Sequence, residues 1–444
     1  MEVMPFKRHI SQTVKLSLPL IISQITVVAM TFVDTVMAGR LGSTTLAAVA
    51  VGSSLWSSAI LFVFGILMAI PSVVSAMDGA NEQHKIAPFF RQTLWLALIL
   101  GLIFTGIILL MDPLFALFDT QPEVIPEAEA YLHALAWGVM PLSFFVAFRY
   151  LADGLSVTKT TMYVSFLGLL LNIPLNYILM FGKLGFPPMG AQGCGYATAT
   201  VLAIQMLAYI TITHKHTIIG SYKIFSQLDR PDWAEIGQFF KLGFPVGMSM
   251  FAEVGFFSII TLLASSLATE TVAAHQVALN FASLLFMVPL GLSMGITIRV
   301  GNAVGRNNPI DIKNAGFYGI SLVLITQILA ATITILFAAQ IVGLYIDDDQ
   351  SVSTIAIGLL FYAAIFQLSD GIQVAAAGAL RGIKDMNFIM LSNIFSFWVL
   401  GFVTSWYLCF EQGLGAEGLW IGIIVGLTAA AFLNVVRFKF KSKV

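Results

Sequence analysis

The apolar stretch TVKLSLPLIISQITVVAMTFVDTVM at residues 13–37 determines the fold class. Lys7 and Arg8 precede it, as basic residues precede the apolar part of a signal peptide, but that part is only about 7 to 15 residues long. We therefore interpret residues 13–37 as an uncleaved first membrane span. The rest of the chain is similar, since 58% of its 444 residues are hydrophobic and only 10% are charged. Soluble domains have about 25% charged residues.

Apolar runs bounded by charged or turn residues recur along the whole chain. Each is long enough to contain the stretch of about 20 residues that a membrane-spanning helix requires. The twelve predicted spans are 13–37, 46–74, 92–111, 128–148, 161–181, 191–213, 242–266, 272–297, 314–336, 351–379, 387–409 and 415–436. The sequence therefore predicts an all-α integral membrane protein with twelve transmembrane helices.

The basic residues indicate how these spans are oriented. With the N-terminus inside, all of the 22 Lys and Arg residues except Arg40 and Lys183 fall on one side of the membrane. Cytoplasmic segments carry the excess of Lys and Arg, so we expect both termini to be cytoplasmic. The outer run Asp347, Asp348 and Asp349 is interpreted as a solvated loop, because no second acidic motif accompanies it to bind a metal.

The chain contains an internal duplication. The segment VKLSLP at 14–19 aligns with FKLGFP at 240–245, and at almost the same offset GAQG at 190–193 aligns with GAEG at 415–418. We predict two six-helix lobes, 1–213 and 242–444, joined by a cytoplasmic linker at 214–241. Six is an even number, so both lobes enter the membrane in the same orientation, related by a pseudo-twofold axis along the membrane normal. Rocking of two such lobes about a central cleft is typical of a carrier.

Three carboxylates, those of Asp34, Glu253 and Asp370, lie inside apolar spans with no basic residue in the interior of the same spans. An uncompensated carboxylate at the bilayer centre costs about 2.5 to 3.5 kcal/mol on insertion scales. Such acids either stay protonated or line a hydrated cavity and bind a cation in turn, and both states make them exchangeable sites. One of them could be a mere interhelical hydrogen-bond donor, but three favour a function. We expect Glu253 and Asp370 to share a site in the second lobe.

Other polar residues in the spans leave two interpretations open. Asn172 and Asn176 share one helical face, so both could offer amide oxygens to a site near Asp34, although interhelical hydrogen bonding is nearly as good an explanation. His133 and His275 are interpreted as packing residues rather than as a proton relay.

Small residues in the spans are expected to pack. The stripe formed by Gly418, Gly422 and Gly426 allows close approach of a neighbouring helix and carries no chemistry. Cys194 and Cys409 lie next to apolar runs and are too few for a disulfide framework or a thiolate metal site.

Several function classes are disfavoured by what the sequence lacks. There is no G-x-x-x-x-G-K-[ST] phosphate loop and no H-E-x-x-H zinc motif, so ATP-driven pumping and zinc catalysis are not expected. The formal net charge of −1 provides no basic surplus for nucleic acid. We expect neither an enzyme nor a cofactor, and an ion gradient acting through the membrane carboxylates is the remaining energy source.

Four segments resemble the multidrug and toxic compound extrusion (MATE) family, in its NorM-type bacterial branch. They are FVDTVMAG at 32–39, LNIPLN at 171–176, VAAHQVALN at 272–280 and AGALRG at 377–382. The resemblance covers about residues 10–440. It implies a two-lobe exporter in the bacterial inner membrane that expels cationic, aromatic or amphipathic drugs in exchange for sodium ions or protons. Its partners would be these small molecules, the coupling ion and the lipid bilayer, with no obligate protein partner.

The resemblance also assigns roles to residues. Glu253 and Asp370 match the family's cation-site acids and form a candidate sodium site, while Asp34, Asn172 and Asn176 match its first-lobe polar cluster. Residues expected in the substrate cleft are Phe366, Gln276 and Gln24. Phe366 stands where NorM-type relatives are expected to have a tyrosine. It offers no hydroxyl oxygen, although its aromatic face can still meet a cation, so the choice between sodium and protons stays open.

Three other functions are alternatives to the transport of drugs. A lipid-linked oligosaccharide flippase of related architecture would need Arg or Lys inside its cleft to bind pyrophosphate, and no basic residue falls clearly within a predicted span interior. An intramembrane protease or prenyltransferase would need a paired catalytic constellation or a doubled aspartate motif at the membrane, and the sequence contains neither. A non-transporting receptor would leave the three carboxylates unexplained.

Overall fold

The computed structural model describes residues 6–117, 121–227, 229–346 and 349–442, and within these ranges the chain is almost entirely helical. Asp119, Asp347 and Asp348, which the sequence places in outer loops, lie outside the described residues. The helices are α1 (Phe6–Leu41), α2 (Ser43–Leu67), α3 (Ile70–Gly79), α4 (Gln83–Leu109), α5 (Pro113–Leu117), α6 (Ile125–Gly154), α7 (Thr158–Phe181), α8 (Gly190–Lys215), α9 (Trp233–Ala264), α10 (Thr269–Gly305), α11 (Pro309–Leu336), α12 (Ala338–Gly343), α13 (Gln350–Gly382), α14 (Met386–Ile394), α15 (Phe402–Trp406) and α16 (Gly415–Lys441).

Twelve helical stretches of the described chain are long and apolar enough to cross a membrane, as the sequence predicted. Most are longer than the predicted spans, because they continue as regular helix into their polar ends. The second stretch, Ser43–Gly79, consists of α2 and α3 joined at Met68 and Ala69. The eleventh, Met386–Glu411, alternates α14 and α15 with two π-helical segments, Phe395–Gly401 and Tyr407–Glu411.

The extended helices bury basic residues that the predicted spans had left in inner segments. Arg149 is 4% exposed, Arg299 is 8% exposed and Arg381 is 7% exposed. Arg149 lies within α6, Arg299 within α10 and Arg381 near the end of α13. A span predicted from hydropathy ends at the first charged residue. The helix itself can continue past that residue when its side chain has polar partners. The predicted spans were therefore too short.

The chain forms two compact units whose bounds fall within helices α1 and α9. One unit contains Ile22–Gly247, and the other contains the chain up to Ile21 together with Met248–Val444. We refer to them as the first-half unit and the second-half unit. This division does not test the predicted bounds of the two lobes and the linker, which stay predictions.

Close helix packing inside each unit depends on small residues. In the first-half unit, a Cβ added at Gly195 would lie 2.7 Å from the Cβ of Ala134. In the second-half unit, a Cβ at Gly378 would lie 2.5 Å from the hydroxyl oxygen of Ser293, so α13 and α10 approach backbone to backbone. Such contacts replace the hydrophobic driving force that helices lack in lipid.

The glycine stripe of α16 packs against the eleventh span as the sequence predicted. A Cβ at Gly418 would lie 2.6 Å from the backbone nitrogen of Cys409, one at Gly422 would meet Ser405, and one at Gly426 would lie 3.1 Å from the Cα of Gly401. Cys409 is a buried free thiol, as expected of a packing residue. Cys194 is also a buried free thiol, but it hydrogen-bonds the carboxylate of Asp34, so it does more than pack.

Two helices of the second-half unit begin with a capping side chain. Asn308 accepts a hydrogen bond from the backbone nitrogen of Asp311 at the start of α11. Asp349 accepts hydrogen bonds of 3.0 Å from the backbone nitrogens of Ser351 and Val352 at the start of α13. A capping carboxylate satisfies donors that have no partner within the helix, so Asp349 is the helix N-cap.

Candidate functional site

Glu253 and Asp370 line one cavity of about 540 Å³ in the second-half unit. Helix α9 contributes Glu253, α10 contributes Gln276, and α13 contributes Phe366 and Asp370. The remaining wall residues are Val254, Phe257, Ser258, Thr261, Leu279, Ala282, Ser283 and Phe286. Small-molecule sites commonly have volumes of about 300 to 1,000 Å³ and few polar groups, so the cavity has the size and lining of a ligand site.

The ionisable side chains that line this cavity are both acidic. No Lys or Arg is among the described residues that line it. Asp370 is 5% exposed, and its Oδ1 atom is buried without a hydrogen-bond partner among the described residues. Glu253 is half-buried. Two carboxyl groups beside hydroxyls, in a lining without a basic residue, favour either protons or a cation, because burying an unpaired carboxylate is costly. Arg381, near the end of α13, is the charged group that interacts with Glu253 from outside this lining.

Three aromatic rings, those of Phe257, Phe286 and Phe366, contribute to the lining of the cavity. The ring of Phe366 packs edge-on against Phe257 and Trp420, with centroid distances of 5.9 Å in both pairs. Aromatic faces attract organic cations, so this wall complements the carboxylates. Phe366 and Gln276, two of the residues expected in a substrate cleft, therefore lie beside the two acids, while their role in binding remains a prediction.

The two histidines of the possible relay lie in different surroundings. His275 is fully buried, and its Nδ1 atom is 3.2 Å from the Trp420 indole nitrogen that donates to it. The Nε2 atom of His133 lies 3.0 Å from the carboxylate of Asp112, which precedes α5. Neither histidine lines the cavity that contains Glu253 and Asp370.

Asp34 lies in the first-half unit together with the two asparagines that the sequence associated with it. The amide nitrogens of Asn172 and Asn176 donate to the Oδ1 atom of Asp34 at 2.9 and 2.6 Å. Both asparagines are fully buried, and both of their amide oxygens lack a partner within the described residues. The cluster thus presents a carboxylate and two free amide oxygens, which are groups that accept hydrogen bonds or bind a cation.

Gln24 is not among the described residues that line the 540 Å³ cavity, and its place in a substrate cleft stays a prediction. Its amide oxygen accepts a hydrogen bond of 2.8 Å from Arg149 in the first-half unit. Arg149 is also 3.9 Å from Asp153, which accepts a bond of 2.6 Å from Thr161. This buried cluster was not predicted from the sequence, although Arg149 and Asp153 are spaced i and i+4 on one helix and their opposite charges were a usable signal.

A second buried cluster, also not predicted, joins α1 to α10 in the second-half unit. Arg299 donates to the backbone oxygen of His9 at 2.7 Å and to the Thr13 hydroxyl at 2.8 Å. His9 lies 3.8 Å from Asp311. These partners come from distant parts of the chain, so no local pattern could have found them.

The described residues contain no group of three or more His, Cys, Asp or Glu side chains that could hold a metal ion. A sodium ion at Glu253 and Asp370 would therefore need additional oxygen ligands of another kind. Ser258 and Thr261 in the cavity wall offer hydroxyl oxygens, and hard cations such as sodium prefer oxygen ligands. These residues fit a weakly held, exchangeable ion.

Comparison with known proteins identifies the family. The MatE family model matches residues 19–178 and 245–407, and the two matches begin at Pro19 and Pro245, which the internal duplication pairs with each other. The chain is 40% identical over 99% of its length to the probable multidrug resistance protein NorM of Xanthomonas campestris pv. campestris, covering 95% of that protein. It is 39% identical to the multidrug resistance protein NorM of Vibrio cholerae (96% of this chain, 94% of that protein). It is 38% identical to the multidrug resistance protein PmpM of Pseudomonas aeruginosa (97% and 91%).

Solved structures share the fold at lower sequence identity. A eukaryotic MATE transporter superimposes with a TM-score of 0.88 at 19% identity, covering 99% of this chain and 98% of that one. A multidrug resistance MATE family transporter in an outward-facing conformation gives 0.89 at 22% identity, covering 97% and 95%. With its duplicated MatE match, its similarity to the NorM and PmpM proteins over nearly their full length and its twelve apolar helices, this chain is a multi-pass membrane protein that belongs to the MATE family.

Proposed function

We propose that the chain is a secondary active exporter of cationic and amphipathic organic compounds, driven by the inward movement of sodium ions or protons. It would lie in the bacterial inner membrane with both termini in the cytoplasm. The names of its relatives, multidrug resistance proteins, support the substrate class. The concentration of Lys and Arg on one side of the spans supports the orientation.

The observation that carries this proposal is the pair Glu253 and Asp370 in a cavity without a basic residue in its described lining. An organic cation and a coupling ion would both be attracted to the same two carboxylates. With either ligand bound, the two carboxylates are compensated. The costly state, an unpaired carboxylate in an apolar environment, is thereby avoided. The aromatic wall around Phe366 would contact the apolar part of the drug.

Transport then follows from competition for the two acids. When sodium or a proton neutralises them, the cavity no longer attracts an organic cation and the drug is released. When the drug occupies the cavity, the coupling ion is displaced. A ligand shifts a conformational equilibrium only if its affinity differs between the two states, so we propose that alternating access of the two lobes changes the exposure of Glu253 and Asp370.

Asp34 with Asn172 and Asn176 is proposed as a second cation-responsive site. The two amide donors stabilise the charged carboxylate of Asp34. Protonation of Asp34 would remove its negative charge and weaken both hydrogen bonds. The site would therefore respond to proton or cation occupancy independently of the Glu253 and Asp370 cavity.

A flippase for lipid-linked oligosaccharides has less support. Pyrophosphate would require Arg or Lys in the binding cavity, and the described lining of the 540 Å³ cavity has neither. The buried Arg149, Arg299 and Arg381 do not line it, and each contacts polar groups of its own unit.

Reconstitution in liposomes tests the proposal. A fluorescent organic cation is loaded, and its movement is followed under a sodium gradient and, separately, under a pH gradient, for the parent protein and for Asp370→Asn and Glu253→Gln. We expect one gradient to drive transport by the parent and both variants to lose gradient-driven transport. Glu417→Gln is the matched control, since Glu417 lies in α16 outside the cavity and accepts a bond from Tyr362. Normal coupled transport by both cavity variants would refute the proposal.

A further inference from the structure

A buried polar network begins one helical turn away from Glu253 in the second-half unit. Asn393 donates to the Ser249 hydroxyl at 2.8 Å, Ser392 donates to Asn434 at 2.7 Å, and the amide nitrogen of Asn434 is 3.5 Å from the amide oxygen of Asn393. We call these four residues the inner network. All are at most 5% exposed, so they form a polar cluster inside an otherwise apolar bundle.

The inner network is in register with the acid pair on α9. Ser249 precedes Glu253 by four residues, so both side chains lie on one face of that helix, about 6 Å apart along its axis. Phe257 and Thr261 continue the same face into the cavity wall. The face of α9 that lines the cavity therefore continues directly into the inner network.

The second acid has a polar neighbour displaced in the same direction. Gln373 follows Asp370 by three residues on α13, about 4.5 Å along the helix, and is 2% exposed. Consecutive spans alternate in direction, so the seventh and tenth spans, α9 and α13, run in opposite directions. A step back along α9 and a step forward along α13 consequently move toward the same end of the unit.

Several polar atoms at this level have no protein partner among the described residues. They are Asp370 Oδ1, Gln373 Oε1 and the hydroxyl of Ser396, which lies three residues after Asn393. Buried acceptors in membrane proteins are normally satisfied. The unpartnered oxygens of Asp370 and Gln373, one helical turn apart on α13, point to a small polar ligand beside this helix, such as water or a cation.

We propose that the inner network is the route by which the coupling cation leaves Glu253 and Asp370 for the cytoplasm. This inference rests on the proposed function and on its orientation, which assigns the end where α9 begins and α13 ends to the cytoplasm. Amide and hydroxyl oxygens can replace part of the hydration shell of sodium or conduct a proton through ordered water. Being uncharged, they release the cation more readily than a carboxylate does.

Silver ions test this route because Ag⁺ is a small monovalent cation that reacts with thiols. Ser249→Cys and Asn434→Cys are made separately in a Cys194→Ala, Cys409→Ala background. Inside-out membrane vesicles receive Ag⁺ from the cytoplasmic face, and protection of the thiol against alkylation is measured after denaturation. Ser405→Cys is the matched control, because Ser405 is equally buried in the second-half unit but lies toward the other end of the eleventh span.

We expect Ag⁺ to react at least tenfold faster at positions 249 and 434 than at position 405. Competition identifies the ion. Sodium uses the route if added sodium slows the reaction at positions 249 and 434 but not at position 405. Protons use it if acidification slows the reaction at positions 249 and 434 more than at position 405, where lower pH acts only by reducing the thiolate fraction. Equal rates at all three positions, or faster reaction from the opposite face, would overturn the inference. Since thiol protection requires no transport, this result is independent of whether the parent proves to be a drug exporter.

A second variant pair separates conduction from packing. Asn393→Leu removes the central amide, whereas Asn393→Ser retains a polar group. We expect Asn393→Leu to slow cation-driven drug exchange at least tenfold without changing drug affinity, and Asn393→Ser to restore most of the rate. Unchanged exchange in Asn393→Leu, or weakened drug binding in both variants, would contradict a conducting role.

Discussion

Neutralising Asp370 should weaken the binding of charged drugs and leave uncharged drugs unaffected. The change Asp370→Asn keeps the shape of the side chain, so the cavity volume and the aromatic wall should remain. The carboxylate is 5% exposed and its Oδ1 atom has no described partner, so its charge is available to a ligand in the cavity. We choose this change because it alters the charge alone.

The size of the effect follows from Coulomb's law. A monovalent cation about 5 Å from the carboxylate, at an effective dielectric constant of about 20, gains roughly 3 kcal/mol. Salt that reaches the cavity screens part of this attraction, leaving about 2 to 3 kcal/mol. At about 1.36 kcal/mol per factor of ten, Asp370→Asn should weaken binding of the cation about 30- to 150-fold. Glu253 remains and keeps binding measurable.

Fluorescence anisotropy in detergent, without any ion gradient, measures this affinity directly. Two ligands of similar shape are compared, one a permanent organic cation and the other uncharged, and Glu417→Gln again serves as the control. Lowering the pH should bring the parent toward the variant, because a protonated carboxyl has already lost its charge. An equal loss of affinity for both ligands would show that shape rather than charge was altered, and no loss for the cation would refute the role of Asp370.

Three further changes have definite expected outcomes. Asn176→Leu removes the 2.6 Å donor to Asp34 and should lower the free energy of unfolding by about 1 to 3 kcal/mol. The loss should appear as a lower melting temperature in detergent, and an unchanged melting temperature would contradict the hydrogen bond. Gly422→Val should destabilise the protein by about 1 to 3 kcal/mol or more, because the added side chain meets Ser405 of the adjacent span; Val at the open position Gly358 is the comparison. Phe366→Tyr adds a hydroxyl beside the cavity acids and should raise the apparent sodium affinity about tenfold. This factor corresponds to the lower end of the free-energy range for a hydrogen bond to a charged group. A sodium titration of drug efflux checks this last change, and an unaltered sodium dependence would exclude position 366 from the ion site.

The number of membrane-spanning helical stretches could be predicted from the sequence because the bilayer imposes a length on each apolar run. The helix ends could not, because they depend on tertiary partners. Arg299 can remain inside α10 because residues distant in the sequence, among them His9 and Thr13, bind its guanidinium. A hydropathy pattern contains no information about such contacts.

The candidate site was only partly accessible from sequence for the same reason. Glu253 and Asp370 were recognisable individually, as costly charges in apolar spans, and the structure places them in one cavity. Gln24 was equally polar, but it pairs with Arg149 rather than facing this cavity. Uncharged residues such as Ser249 and Asn393 gave no signal at all, because serine and asparagine are common enough in membrane helices to pass as ordinary packing residues.

The π-helical segments Phe395–Gly401 and Tyr407–Glu411 have a consequence for how this region can vary. They set the rotational phase at which Ser405 meets Gly422 and Gly401 meets Gly426. Losing or gaining one residue there would rotate the rest of the eleventh span by about 100° about the helix axis. Bulky side chains would then face the contact with α16, where the close packing requires glycine. The identities of residues in this segment can therefore change more freely than its length. A single-residue alignment gap placed inside it would pair positions whose side chains point about 100° apart.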